Sequence, residues 1–186
     1  QKFFGWFLNV YIEIFRGTPM IVQSMVIFYG SAQAFNISLD RTWAAIFIVS
    51  INTGAYMSEI VRGGILAVDP GQFEAATALG MTHGQTMRKV VLPQVVRNIL
   101  PATGNEFVIN IKDTSVLNVI SVVELYFTGN TVATQNYQYF PTFTIIAVIY
   151  FVLTFTITRI LRYIERRLDS DTYTTGANQM QVNEVK

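Results

Sequence analysis

The sequence contains no cysteine and only one histidine, His83. Without thiols, disulfide frameworks and thiolate metal sites are excluded, and His83 has no metal-ligand companions nearby, so we predict no metal site. Charge is scarce as well, since Asp, Glu, Lys and Arg make up 13% of the 186 residues, against roughly 25% in soluble domains. A formal net charge of +1 gives no field that would attract nucleic acid.

Apolar residues make up 51% of the chain, and they gather in long uncharged runs. A helix needs about 20 mostly apolar residues to cross a bilayer. A single run of this kind can also be a buried core helix, but four in one small chain favour a membrane protein. The predicted spans cover about residues 18–36, 41–62, 94–118 and 141–163. Residues 1–165 therefore form a predicted transmembrane domain, followed by a polar, irregular tail over residues 166–186.

The positive residues predict the orientation of these spans. Lys and Arg are retained on the cytoplasmic side of a membrane. Eleven of the thirteen fall in segments predicted to lie inside; Arg41 alone lies outside, and Lys112 lies at membrane depth. The C-terminus is therefore predicted to be cytoplasmic.

Between the second and third spans, about residues 70–92 contain the start and stop signals of two short helices. Asp69 can cap the first helix, with Pro70 at its first position, and Gly80 can end it. Thr82 and Gln85 form a capping box for the second helix, which is predicted to end at Pro93. A connecting loop is the simpler interpretation. A DNA-reading helix-turn-helix is disfavoured because the first helix has no Lys or Arg.

The same segment resembles a known signature. Glu74, Ala75 and Ala76, followed by Gly80 and then by the run Val90-Val91-Leu92-Pro93, resemble the EAA motif of ABC importer permeases. The strings RGTPMIVQ, NTGAYMSEIVRGGILAV and IKDTSVLNVI resemble the polar amino-acid uptake branch, from about Tyr11 to Glu165. Members of this branch usually have one more span before the stretch that corresponds to Tyr11–Pro19, so we expect that an N-terminal span is missing from the sequence.

The resemblance implies an all-α, polytopic membrane protein with the type I ABC importer transmembrane fold. It also implies a permease subunit that moves polar amino acids across the bacterial plasma (inner) membrane by alternating access. The implied partners are the lipid bilayer, a second permease subunit (identical or different), two ABC ATPase subunits and an extracytoplasmic solute-binding protein. The chain has no G-x-x-x-x-G-K-[ST] loop, so ATP and Mg²⁺ are expected to bind the ATPase, and this chain is not expected to be an enzyme. The residues implied to couple with the ATPase are Glu74, Ala75, Ala76, Gly80, Leu92 and Pro93.

Polar residues at membrane depth are the candidates for the substrate pathway, because such residues normally face a cavity or a partner. Asn52, Tyr56 and Glu59 share one helical stripe. A second stripe carries Glu106, Asn110 and Asp113, with Asn105 and Lys112 beside it. Amides and carboxylates suit both ends of an amino-acid zwitterion. The alternatives are structural, namely that Glu59 pairs with Arg62 and that Lys112 or Asp113 pairs with a neighbouring helix.

Two other functions fit parts of the pattern. A self-sufficient channel or ion-coupled secondary carrier would use the cytoplasmic loop only as structure, and it would transport solute without an ATPase. An intramembrane enzyme is the weakest alternative, because the sequence has no His, Cys or paired-carboxylate arrangement suited to hydrolysis.

Overall fold

Helices account for almost all of the backbone in the computed structural model, which describes residues 2–184, with side chains over residues 3–168. The described residues contain no strand. Residues 2–184 contain eight α-helices, which are α1 (Lys2–Gly17), α2 (Met20–Phe35), α3 (Arg41–Leu66), α4 (Pro70–Ala78), α5 (His83–Thr86), α6 (Leu92–Asp113), α7 (Leu125–Asn136) and α8 (Tyr139–Glu184). A π-helical turn, Met87–Val91, joins α5 to α6, and a 3₁₀-helix, Thr114–Ile120, follows α6.

The chain divides into two compact units. The first unit contains Gln1–Glu59 and Glu106–Phe155, and the second contains Ile60–Asn105 and Thr156–Lys186. Because the boundaries fall inside α3, α6 and α8, each of these three helices contributes to both units.

The core of the first unit forms where α3 meets the 3₁₀-helix. Ala44, Ala45 and Ile48 of α3 are buried against Leu117 and Ile120. The two alanines let the backbones approach closely, and side chains of α2 surround the contact. These are Met20, Ile27 and Phe28. A hydrogen bond of 3.0 Å from the Tyr29 hydroxyl to the Val119 carbonyl also ties α2 to the 3₁₀-helix.

The core of the second unit is a valine cluster beneath the short helices. Val68, Val91 and Val95 are buried together, and the side chains packed around them are Ile65, Phe73, Met87 and Ile99. A Cβ atom at Gly64 of α3 would collide with Ile99 of α6. Glycine at this position therefore sets how closely the two helices pack.

Within the described range, two helices are long and apolar enough to cross a membrane, namely α3 and the portion Tyr139–Leu168 of α8. The predicted span at residues 18–36 corresponds to α2, whose 16 residues extend about 24 Å, less than the ~30 Å hydrocarbon core. The predicted span at residues 94–118 lies within the helical stretch His83–Ile120. This stretch and α7 together form a third apolar element, with a bend of 54° between the two parts. The number of spans thus stays a prediction, whereas the all-helical class is confirmed.

The capping signals predicted for about residues 70–92 are confirmed. The Asp69 side chain accepts a 2.7 Å hydrogen bond from the Gly71 amide at the start of α4. Gly80 adopts a left-handed conformation with φ +74° after α4. Thr82 and Gln85 form both bonds of the capping box at α5. We call residues 69–82 the elbow.

Pro93 does not end the second helix of this segment, contrary to the prediction. Proline lacks an amide hydrogen and normally breaks the hydrogen-bond ladder. Here a π turn precedes it, with the Leu92 amide donating to the Met87 carbonyl, so the register has already changed where the donor is missing. The Gln94 side chain also donates to the Val90 carbonyl at 2.9 Å. The helix therefore continues into α6.

Two other stretches differ from the expectation. Residues 125–136, which lie between two predicted spans and were not predicted to be helical, form α7. Glu124 caps α7 by accepting hydrogen bonds of 2.7 and 2.6 Å from the amides of Tyr126 and Phe127. At the other end of the chain, α8 continues to Glu184, where we predicted an irregular tail. No proline follows Pro141, so nothing removes a donor from the helical ladder. Residues 185 and 186 lie outside the described range.

A first prediction concerns the contact between α7 and α8. A Cβ atom at Gly129 would overlap the side chain of Ile146, which is itself buried. We expect Gly129→Ala to lower the free energy of unfolding by about 1–3 kcal/mol, the usual effect of overpacking. Thermal unfolding of the purified protein in detergent measures this change.

Gly30→Ala is the matched control for this substitution, because a Cβ atom at Gly30 of α2 meets nothing within 4 Å. Alanine there should be neutral or slightly stabilising, because glycine weakens a helix. Adding Ile146→Val to Gly129→Ala should recover part of the lost stability. Equal stability of the two alanine variants would contradict the tight contact.

Candidate functional site

The stripe of α3 that carries Asn52, Tyr56 and Glu59 lies against the turn between α1 and α2. We call residues 15–23 the α1–α2 corner. Arg16 of this corner forms an ion pair with Glu59, with Nη1 and Oε2 3.5 Å apart. Its guanidinium group also lies over the ring of Tyr56, 5.6 Å from the ring centroid. The structure therefore brings two of the predicted pathway residues together around one arginine.

Asn52 joins the same corner through Gln23 of α2. Asn52 Nδ2 donates to Gln23 Oε1 at 3.0 Å, and it lies 3.4 Å from the Phe15 carbonyl. Gln23 Nε2 is within hydrogen-bond distance of the Phe15 carbonyl (2.9 Å), the Thr18 carbonyl (2.8 Å) and Thr18 Oγ1 (2.9 Å). The two amides are 7% (Gln23) and 8% (Asn52) exposed. They form a buried polar cluster that satisfies the carbonyls at the end of α1.

Gln23 and Arg16 were not predicted from the sequence as partners of α3. The partner predicted for Glu59 was Arg62, three residues along the same helix. The available signal was a lone amide inside the apolar run MIVQSMVIFYG. An amide buried in such a run needs a partner on another segment. Its partner is a contact between distant parts of the chain, which helical periodicity does not reveal.

A further contact between α1 and α3 lies next to this cluster. The Tyr11 hydroxyl donates to the Ile51 carbonyl of α3. It approaches there because position 54 is glycine, at which an added Cβ atom would lie 3.1 Å from the Tyr11 hydroxyl oxygen. The rings of Tyr11 and Phe15 also pack together, with centroids 5.0 Å apart. Hence α1 and the α1–α2 corner contact one continuous face of α3.

The residues of the second predicted stripe and those beside it differ in burial. Glu106 of α6 is 8% exposed, and Asn110 Oδ1 accepts a 3.0 Å hydrogen bond from Thr53 Oγ1 of α3. Asp113 is half-buried, whereas Lys112 is exposed. Asn105 is also exposed and belongs to the second unit. The first unit therefore holds carboxylate and amide oxygens, which are hydrogen-bond acceptors suited to an ammonium group.

The elbow ends α4 with two hydrogen bonds that define a Schellman motif. The Met81 amide donates to the Ala76 carbonyl at 3.1 Å, and the Gly80 amide donates to the Thr77 carbonyl at 2.9 Å. Leu79, between them, is 81% exposed. The elbow thus presents an apolar side chain at a fixed turn.

One of the coupling residues predicted in and after the elbow is buried, and the others are exposed. Glu74, Ala75 and Gly80 are exposed, whereas Ala76 is only 3% exposed and packs inside the chain. Leu92 and Pro93 are exposed as well, although Val91 beside them is buried. Ala76 therefore lies inside the elbow, whereas Glu74, Ala75 and Gly80 belong to its accessible surface.

Metal chemistry has no visible basis in the part of the chain described. No group of three or more His, Cys, Asp and Glu side chains is placed there to hold a metal ion. The polar groups of α3 and α6 can donate and accept hydrogen bonds, and the elbow can contact another protein.

The chain is similar to known transport proteins. Over residues 1–170 the chain matches the family described as "Binding-protein-dependent transport system inner membrane component". It is 41% identical to the glutamine transport system permease protein of Escherichia coli (strain K12), over 90% of this chain and 79% of that protein. It is 38% identical to the arginine transport system permease protein of Bacillus subtilis (strain 168), over 90% of this chain and 77% of that protein.

A solved structure described as an amino acid ABC transporter with histidines has the same fold. Its TM-score is 0.81 at 45% sequence identity, and the match covers 86% of this chain and 74% of that one. The predicted fold class, a polytopic helical protein with the transmembrane fold of ABC importers, is thereby confirmed. The chain belongs to the family of inner membrane components of binding-protein-dependent transport systems.

Proposed function

We propose that this chain is the permease subunit through which polar amino acids cross the bacterial plasma membrane in an ABC importer. The observation that carries the proposal is the similarity, over about nine-tenths of the chain, to permease proteins of glutamine and arginine transport systems. In permeases of this family, transport in general depends on a binding protein, ATPase subunits and a second permease. For this chain we propose two ABC ATPase subunits, an extracytoplasmic amino-acid-binding protein and a second permease that is identical or different.

We assign the solute pathway first to the inward polar face of α6. Glu106, Asn110 and Asp113 offer oxygen acceptors for the solute's ammonium group, and Thr53 is hydrogen-bonded to Asn110 beside them. A buried carboxylate such as Glu106 is costly unless a cation or a proton neutralises it, and the ammonium group of an amino acid can do so. Asn52, Tyr56, Glu59, Asn105 and Lys112 complete the set to be tested by substitution.

We assign ATP hydrolysis to the partner subunits, which would bind ATP and Mg²⁺. The elbow is the proposed docking element, with Glu74, Ala75, Gly80 and the exposed Leu79 in contact with the ATPase. Leu92 and Pro93 lie on the exposed side of the following helix and are assigned to the same contact. Under this proposal the elbow and the C-terminus lie in the cytoplasm, where Lys and Arg are concentrated.

Reconstitution tests the whole proposal. The permease is purified in mild detergent and placed in vesicles with its ATPase and a binding protein. ATP-dependent accumulation of a radiolabelled polar amino acid is then measured across a solute panel. Accumulation only with ATPase, ATP and binding protein present is the expected result. Uptake by the permease alone would instead support a channel or ion-coupled carrier.

The elbow yields a second prediction. We expect Glu74→Lys to weaken docking of the ATPase. If Glu74 contacts a positive group of the ATPase, the lysine places two like charges together at the interface, which is repulsive. Uptake should fall at least about tenfold, which corresponds to ~1.4 kcal/mol of lost coupling, while the vesicles retain the permease. Glu13→Lys makes the same charge reversal at an exposed position of α1 and should leave uptake nearly unchanged. Equal uptake by the two variants would argue against the elbow as the docking element.

A third prediction concerns Glu106. Glu106→Gln keeps the shape of the side chain but removes the negative charge that would attract the ammonium group. We expect KM for amino-acid uptake to rise roughly 10- to 100-fold, from the ~1.5–3 kcal/mol of a charged hydrogen bond. Glu13→Gln makes the same exchange at the exposed α1 site and serves as the control. An unchanged KM for Glu106→Gln would remove this residue from the pathway.

A further inference from the structure

The contacts between the α1–α2 corner and α3 have a buried end and an exposed end. At the buried end, the Gln23 and Asn52 amides bond to each other and to carbonyls of the corner. At the other end, the Arg16–Glu59 ion pair is partly exposed, with 43% and 26% of the two side chains accessible. We call Arg16, Gln23, Asn52 and Glu59 the corner clasp.

The buried end is difficult to open. The Phe15 and Thr18 carbonyls lie at the end of α1, where the helix leaves carbonyls without partners of its own. Gln23 Nε2 reaches both, at 2.9 and 2.8 Å. Separating the corner from α3 would strip Asn52 of its bond to Gln23 in an apolar setting. A buried polar group that loses its partner costs about 1–3 kcal/mol, so repeated opening in every cycle is unfavourable.

The exposed end fixes the orientation of the corner relative to α3. A guanidinium group is planar, and Arg16 uses its face on Tyr56 and one edge nitrogen on Glu59. These two contacts lie one turn apart on α3, so together they set the rotation of the corner about the buried amides. A single ion pair would leave that rotation free. The two ends of the clasp therefore hold the corner at more than one point.

We propose that Arg16 and Gln23 are positioning residues that join the α1–α2 corner to α3, so that both move as one body while the transporter changes state. The stripe Asn52, Tyr56 and Glu59 then serves first as the seat of the corner. The proposal deepens the proposed transport function and rests on it. The opposite assignment is a plug, in which the corner must leave α3 before solute can pass.

Cross-linking distinguishes a joint, in which the corner stays on α3, from a plug, in which the corner must leave α3. The sequence has no cysteine of its own to interfere. Arg16 and Glu59 are both replaced by cysteine, and the full transporter is assembled with cysteine-free partners. Before cross-linking, we expect uptake to fall about two- to fivefold, the loss typical of a partly exposed ion pair. A short bismaleimide that bridges the two thiols should restore most of the uptake. Inhibition by the bridge would overturn the joint and establish a plug.

The yield of the bridge provides a readout that does not depend on solute. We expect equal yields in the nucleotide-free and vanadate-trapped states, because a joint keeps its geometry in both. Unequal yields would overturn the proposal even if uptake were normal. Equal yields in vesicles that transport no amino acid would leave the joint intact and count against the proposed function instead. If the double-cysteine chain does not assemble, the charge exchange Arg16→Glu with Glu59→Arg replaces it, and recovery relative to the single variants is the expected result.

Gln23→Glu tests the buried end and is the fourth prediction. The substituted carboxylate keeps the size of the side chain but cannot donate to the Phe15 and Thr18 carbonyls. We expect kcat for uptake to fall about tenfold or more, as for a buried group left without its partner, while KM changes little. Gln33→Glu is the matched control, because Gln33 lies on the same helix and is exposed.

The split between kcat and KM identifies a positioning role. Uptake is normalised to the amount of assembled transporter, so a purely structural loss of folded protein lowers neither constant. A large rise in KM with unchanged kcat would instead make Gln23 a solute contact and overturn the proposal. Equal behaviour of Gln23→Glu and Gln33→Glu would overturn it as well.

Discussion

A polar group buried among apolar helices must find its hydrogen-bond partner inside the protein, because neither lipid nor packed side chains can supply one. The rest of the first unit depends on how this constraint is met. Gln23 and Asn52 satisfy each other and also the carbonyls that α1 leaves open at its end. A short turn between two helices thus becomes a fixed contact with a third. The amides determine where α1, α2 and α3 meet, and the apolar side chains then pack around that arrangement.

Close approach of backbones is the complementary requirement, and glycine and alanine provide it. Gly54 admits the Tyr11 hydroxyl to the Ile51 carbonyl, and Gly129 receives the side chain of Ile146. Ala44 and Ala45 let α3 lie against the 3₁₀-helix. In a membrane, where lipid tails are as apolar as leucine, such small residues favour helix association through packing. Polar bonds select the partners, and small residues allow the distance at which those bonds form.

The sequence predicts helix caps and turns, which depend on neighbouring residues, but not the contacts between residues far apart in the chain. Asp69, Gly80 and the Thr82–Gln85 box act within a few residues, so the elbow could be predicted in detail. The cap of α7 is a glutamate, which is not a preferred capping residue, and that helix was missed. The stripe of Asn52, Tyr56 and Glu59 was correctly placed on one face of α3. What that face contacts depends on Arg16 and Gln23, which helical periodicity cannot connect to it.

The elbow shows how local signals order a short segment of the chain. A helix as short as the nine residues of α4 would be marginal alone, because isolated helices need about 12–15 residues. Asp69 accepts a hydrogen bond at its start, Gly80 closes its last turn, and Ala76 is buried. These constraints act before any partner arrives. A surface that is already ordered loses less conformational entropy on binding, so under the proposed docking more of the contact energy at Glu74 and Leu79 would remain for coupling.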